Sequence, residues 1–296
     1  MTGAPKIFDR DLLARRRDRV AGQAGAHDFL LTRVAEDFAE RIGIVRRTFK
    51  AGLNIDAHHG VLSRRLRGLG NIGAMIDAGD SERLLALCDG PRLMADVEAL
   101  PIGDGALDLA VSGLSLQLVN DLPGALIQLR RALKPDGLLL AALLGGESLR
   151  ELREAWLVAE EEMTGGVSPR VAPFADVRAL GGLLQRAGFA LPVADNDVVI
   201  VTYENPLRLM AEVKGMGASN MLVDRRRVPV TRGLLKRVCE VYAERFSAQD
   251  GRVRATFEIV TLTAWVPHES QPKPLRPGSA QMRLADALGV KEGEIK

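Results

Sequence analysis

Asp56, His58, Gly60, Asp77 and Asp96 are the residues of this 296-residue chain whose types and spacing can do chemistry together. Each follows or closes a short apolar run. Leu53-Asn54-Ile55 leads into Asp56-Ala57-His58-His59-Gly60, residues 71–76 lead into Asp77, and residues 92–95 into Asp96. If these runs are successive parallel strands, one rim of the sheet carries a tight turn and two carboxylates. An adenosyl ligand needs such a rim. The turn lets backbone N–H groups approach it, one carboxylate accepts from the ribose hydroxyls, and a polar group takes the adenine amine. Either aspartate alone reads equally well as a surface or capping residue; their joint placement carries the argument.

The element that must position them is the stretch 107–145. Leu107-Asp108-Leu109-Ala110-Val111-Ser112 is apolar on both faces, as a strand buried inside a sheet must be. Asn120 and Asp121 can cap a helix with Pro123 in its first turn. Leu122, Ala125, Leu126, Leu129 and Leu133 recur along it at helical spacing. Pro135 and Gly137 then turn the chain into a second apolar run, 138–144. Strand, helix and strand with short links make a right-handed crossover between parallel strands. The same alternation begins near residue 53, so a doubly wound, mostly parallel α/β sheet is expected. Further on, helices are expected over 148–163, 177–187, 206–216 and 231–246, with strands over 198–202 and 256–266.

Composition narrows the class. At 47% hydrophobic, the chain can bury a large core, and its 40 basic and 38 acidic residues nearly balance. A net charge of +2 gives no case for nucleic acid. Arginines gather locally at 15–17, 64–65 and 225–227, and read as solvated faces, with an anionic lipid surface or acidic partner as the sharper alternative. Cys88 and Cys239 stand alone and read as small core residues of a reducing compartment. No apolar run approaches the ~20 residues that span a bilayer. The amino terminus shows Asp9 and Asp11 rather than a signal segment, so a cytoplasmic location is expected, with the inner membrane face as a contact. The organisation expected is an arm and helix over 1–45, a sheet domain over 46–267 with helical insertions at about 148–190 and 205–250, and an irregular tail over 268–296.

The order of these features resembles the class I S-adenosylmethionine-dependent methyltransferases, and more closely the methyltransferase-like family of mitochondrial complex I assembly factor five with its bacterial relatives. The similarity runs from Ile7-Phe8-Asp9-Arg10 through residues 112–123 and Lys134-Pro135-Asp136-Gly137. It continues through Gly145-Gly146-Glu147-Ser148-Leu149, Ser168-Pro169, Pro173-Phe174, Gly215-Met216-Gly217 and Ser219-Asn220, to His268-Glu269-Ser270-Gln271 and Gly278-Ser279-Ala280. The resemblance implies a seven-stranded Rossmann-like sheet and S-adenosylmethionine as cofactor, with Leu114 beside it after the fourth strand. It implies action on a protein substrate, a respiratory complex I subunit, with arginine hydroxylation as one activity.

The first turn departs from the family pattern, roughly Asp-Leu-Gly-x-Gly-x-Gly, and keeps only its last glycine, Gly60. Asp56 and His58 stand where glycines supply positive φ and leave room for the ligand. A non-glycine residue held there costs on the order of 1–3 kcal/mol, and this stands against ordinary cofactor binding. Asp56, His58 and His59 together would make a two-imidazole, one-carboxylate iron set. Adjacent imidazoles point apart, however, so a turn or capping role is the favoured reading and no metal is expected. Gln117 stands where many relatives show histidine. No catalytic residue is assigned, because methyl transfer depends chiefly on alignment. Ser168, Pro173, Ser219, Asn220, His268 and Gln271 are candidates for the substrate-side wall. Two rival functions remain: a non-catalytic assembly protein, and an O-methyltransferase for a small acid or acyl carrier.

Overall fold

The structure, a computed structural model, describes residues 6–272. The chain opens with α1 (Arg10–Val20), a 3₁₀ turn (Ala21–Ala26) and α2 (Phe29–Gly43). The sheet then begins with β1 (Phe49–Ile55), α3 (Val61–Arg67), β2 (Ile72–Gly79), α4 (Glu82–Leu85) and β3 (Arg92–Met94). β4 (Leu107–Gly113), α5 (Leu122–Ala132) and β5 (Leu133–Leu144) form the expected crossover. After α6 (Arg150–Thr164) and α7 (Val177–Arg186), β6 (Ala190–Tyr203) is separated from β7 (Val253–Trp265) by α8 (Pro206–Gly215) and α9 (Arg232–Phe246).

The seven strands lie in the order β3-β2-β1-β4-β5-β7-β6, with β7 antiparallel to both its neighbours. This is the expected doubly wound, mostly parallel sheet with added helices. β4 and β5 are apolar on both faces because helices cover both. Leu109, Val111, Leu138 and Leu140 enter the core under α2 and α6, while Ala110, Leu139 and Ala141 enter the core under α5 and α7. Each such leucine contributes about 1.5–3 kcal/mol on burial. α2 turns Leu30, Leu31, Val34, Phe38 and Ile42 inward, the three- and four-residue steps of one helix face. The strand order reverses between β1 and β4, and a crevice beyond the carboxyl ends of the strands is expected there.

The structure corrects three expectations. β2 continues two residues past Asp77, to Gly79, so Asp77 lies inside the strand and not at its end. β6 is far longer than residues 198–202. Its middle carries Asp195 and Asp197, which ion pairs to Arg41 and Arg33 hold against α2. The expected arm is, among its described residues, packed on the body: α1 seats Leu13 in a small core with Phe8, Leu118, Met221 and Leu222. The candidate block Gly278-Ser279-Ala280 lies outside the described residues.

Candidate functional site

The rim is built by the strands' carboxyl ends. The turn after β1 holds Asp56 at φ 55°, His58 at φ 51° and Gly60 at φ 80°. Two side chains thus adopt the left-handed conformation that glycine takes without strain. Gly60 is closed off behind: a Cβ there would come within 3.2 Å of Cys88 Sγ. Its backbone therefore backs onto protein.

Asp77 is fully buried. Asn54 Nδ2 donates to its Oδ1 at 2.9 Å, Arg67 Nη2 to its Oδ2 at 2.9 Å, and the Ser63 hydroxyl also donates to it. These bonds between β1, α3 and β2 make Asp77 a structural anchor, which corrects its reading as the ribose acceptor. Asp96 is half exposed beyond β3, with Arg10 Nη2 at 3.0 Å.

The carboxylate that does stand at the end of β2 is Asp80, and it faces α1. Arg17 Nη1 lies 2.9 Å from Asp56 Oδ2 and 3.4 Å from Asp80 Oδ1, and Arg10 Nη2 lies 3.2 Å from Asp80 Oδ2. Burial alone would push the Asp56 carboxyl up, but the Arg17 charge, with His58 and Arg10, holds it below the usual carboxylate range. Burial, then the Asp56 charge, pushes Asp80 up. Burial works against the Arg17 cation, yet Asp56 and Asp80 outweigh it and keep the guanidinium charged. Arg10, Arg17 and Asp80 are the residues that reading the sequence missed. Their one local signal is that residues seven apart share a helix face.

His58 turns the other way. Its Nε2 lies 3.1 Å from the Gly113 carbonyl oxygen, which can only accept, so Nε2 carries the proton. Burial, then the Arg17 charge, lowers its pKa to about 4, leaving the ring neutral at pH 7. His59 instead meets Asp28, with Nε2 at 3.0 Å from Oδ2. The two imidazoles diverge, so Asp56, His58 and His59 do not converge as a ligand set.

Beyond His58 opens a cavity of about 290 Å³. Its floor includes Leu114, at φ 53°, and its walls are α1, α6, the loop 170–174 and the segment 210–221. The lining is mainly apolar, with a few polar points. Arg170 lies over the Trp156 ring at 4.6 Å and is paired to buried Glu160, with its Nε 2.8 Å from Oε1. Gln117 Nε2 donates to Leu114 O at 2.8 Å, leaving its buried Oε1 without a partner among the described residues.

Of the expected wall residues, Ser219 and Asn220 line the cavity. Ser168 bonds Glu160 instead, and Pro173 is not in the lining although Phe174 is. Gln271 bonds Asp136 and the Val266 carbonyl, at the opposite end of the sheet, and His268 bonds Ser270 nearby. Among the described residues no helix is long and apolar enough to cross a membrane.

S-adenosylmethionine, which the resemblance implies, would need the crevice over Asp56 and Asp80. Only about 10 Å³ is free between Arg17, Asp56, His58, Gly79 and Asp80. The residues present do not fit it as the chain is folded.

Residues 60–141 match the methyltransferase domain family. The mitochondrial arginine-hydroxylase NDUFAF5 of Danio rerio is 36% identical over 286 residues, covering 95% of this chain and 89% of that protein. The malonyl-[acyl-carrier protein] O-methyltransferase of Methylovorus sp. (strain MP688) is 32% identical over 281 residues, covering 90% and 92%. Among solved structures, the YcgJ protein of Bacillus subtilis superposes with a TM-score of 0.55 at 11% identity, covering 79% of this chain and 98% of that one.

Proposed function

We propose, from the premise that this chain belongs to the methyltransferase-like family of the arginine-hydroxylase NDUFAF5 proteins, that it acts on a protein segment during assembly of respiratory complex I. One observation carries the reading. Leu149, Gly215, Met216, Gly217, Ser219 and Asn220, drawn from the sequence blocks most distinctive of the family, all line the cavity. Part of the likeness therefore lies on the side where a substrate would sit, and not only on the generic sheet.

The cavity suits a side chain with an apolar stem and a polar tip. Its walls are mainly apolar, with Gln117, Ser219 and Asn220 among the polar residues of the lining. Arg17 and Arg170 are already paired with Asp56 and Glu160, so neither is free to take a substrate carboxylate. S-adenosylmethionine is the cofactor of the family's methyltransferases, and its chemistry when bound is donation of a methyl group. A second reading, an assembly protein that works without that cofactor, is supported by the guanidinium-filled crevice. The location that fits both is the cytoplasm at the inner face of the membrane that carries complex I.

Deleting the gene and weighing complex I subunits tests the proposal. A subunit that loses the mass of one oxygen (a hydroxylation) or of one CH2 (a methylation) supports enzymatic action, and defective assembly with unchanged masses supports the scaffold. Normal assembly with unchanged masses overturns both.

A further inference from the structure

We infer that the crevice of this chain is liganded by its own amino-terminal helix, so that seated α1 and bound S-adenosylmethionine exclude each other. Three strand ends bring Asp56, Asp80 and Asp96 along one rim, after β1, β2 and β3 respectively. Three carboxylates side by side repel one another and lose hydration. Arg10 and Arg17, two turns apart on one helix face and about 10 Å apart along the axis, meet all three. The guanidinium groups therefore already hold carboxylate oxygens that ribose hydroxyls and an amino group would need.

The remaining space, about 10 Å³, is room for roughly one water molecule and far less than a nucleoside needs. Arg17 borders the larger cavity on one side, and on another its stem is packed. Gly217, at φ 74°, packs on its stem so closely that a Cβ there would lie 3.1 Å from Arg17 Cγ.

Other bonds hold α1 in place. Asp18 Oδ1 accepts from Ser81 Oγ at 2.6 Å and from the Arg83 amide at 3.1 Å. The Asp9 amide donates to Met221 O at 2.9 Å, and Asn120 Oδ1 accepts from the Ile7 and Phe8 amides at 2.8 Å. The rim agrees with this seating. β2 ends in Gly79, which has no carboxylate to offer, and the next residue, Asp80, is turned to α1. The inner face of α1 also supplies Leu13, Arg17 and Val20 to the cavity wall, so the ion pairs that fill the crevice also close the cavity.

The test is calorimetric titration of the full chain with S-adenosylmethionine and S-adenosylhomocysteine to about 1 mM, with hydrogen exchange of the α1 amides followed in parallel. The expected result is no saturable heat and unchanged α1 protection. Saturable binding accompanied by loss of α1 protection also supports exclusion. Saturable binding with α1 still protected overturns it. In Arg17→Gln, checked for folding by circular dichroism, α1 should exchange at least about tenfold faster; a folded variant as protected as the parent overturns the role of Arg17. If that variant does not fold, Arg10→Gln, at the more accessible end, is read the same way. None of these readouts depends on complex I, so failure here leaves the proposed function standing.

Discussion

Arg17 and Asp56, 39 residues apart in sequence, meet at 2.9 Å with both side chains almost wholly buried. A buried pair is weak evidence for net stability, but breaking one is costly because it strands the partner charge. Arg17→Met should therefore lose about 3–5 kcal/mol in urea unfolding. The double variant Arg17→Met with Asp56→Asn should recover part of that loss, because the stranded carboxylate is gone. A strictly additive double variant would show that the two residues do not interact.

The strained turn gives a prediction with an unusual sign. His58 sits at φ 51°, so alanine there keeps the strain and glycine releases it. Both substitutions lose the bond to Gly113. His58→Gly should consequently be more stable than His58→Ala by about 1 kcal/mol, measured by chemical denaturation. At an ordinary position glycine would be the worse of the two.

How much of this was legible in the chain varies by element. The crossover 107–144 was readable because residues buried on both faces leave continuous apolar runs. The turn after β1 was readable because Asp56 and His58 stand where family glycines are expected. The α1 contacts were not readable: an arginine facing a buried carboxylate looks in sequence like one facing water, and its partners lie 39 and 63 residues away. Asp77 was misplaced because Ala78 and Gly79 give no strong strand signal. The start of β6 was hidden by Asp195, Asn196 and Asp197, whose acidic members are balanced by arginines of α2.

Acid should weaken the fold through His58. Its folded pKa, about 4, lies below the ordinary 6.5, so between these values the unfolded chain binds more protons. Stability should be level above pH 6.5 and fall on the order of 2–3 kcal/mol as pH drops toward 4. Asp80, with its raised pKa, works in the opposite direction nearer the carboxylate range. The comparison with His58→Gln isolates the histidine. An identical pH profile in that variant would remove His58 as the cause.

Asp77 anchors three elements, so Asp77→Ala should cost about 3 kcal/mol or more, leaving Asn54 and Arg67 without their acceptor. Differential scanning calorimetry reads this directly. A melting temperature within a degree or two of the parent would contradict an anchoring role.

Filling the cavity should separate function from folding. Ala172 lines it and is only partly buried beside the Phe8–Leu13 core, so Ala172→Phe should cost no more than about 1–3 kcal/mol and leave the chain folded. It should also fail to restore complex I assembly in a deletion strain. Full rescue would place the working surface elsewhere.

The most direct test of the closed crevice is crystallographic: crystals of the full chain soaked in S-adenosylhomocysteine. The predicted map shows no ligand density over Asp56 and Asp80, with the Arg17 guanidinium in place between them. A nucleoside resolved in that crevice while α1 keeps its position would contradict the closure.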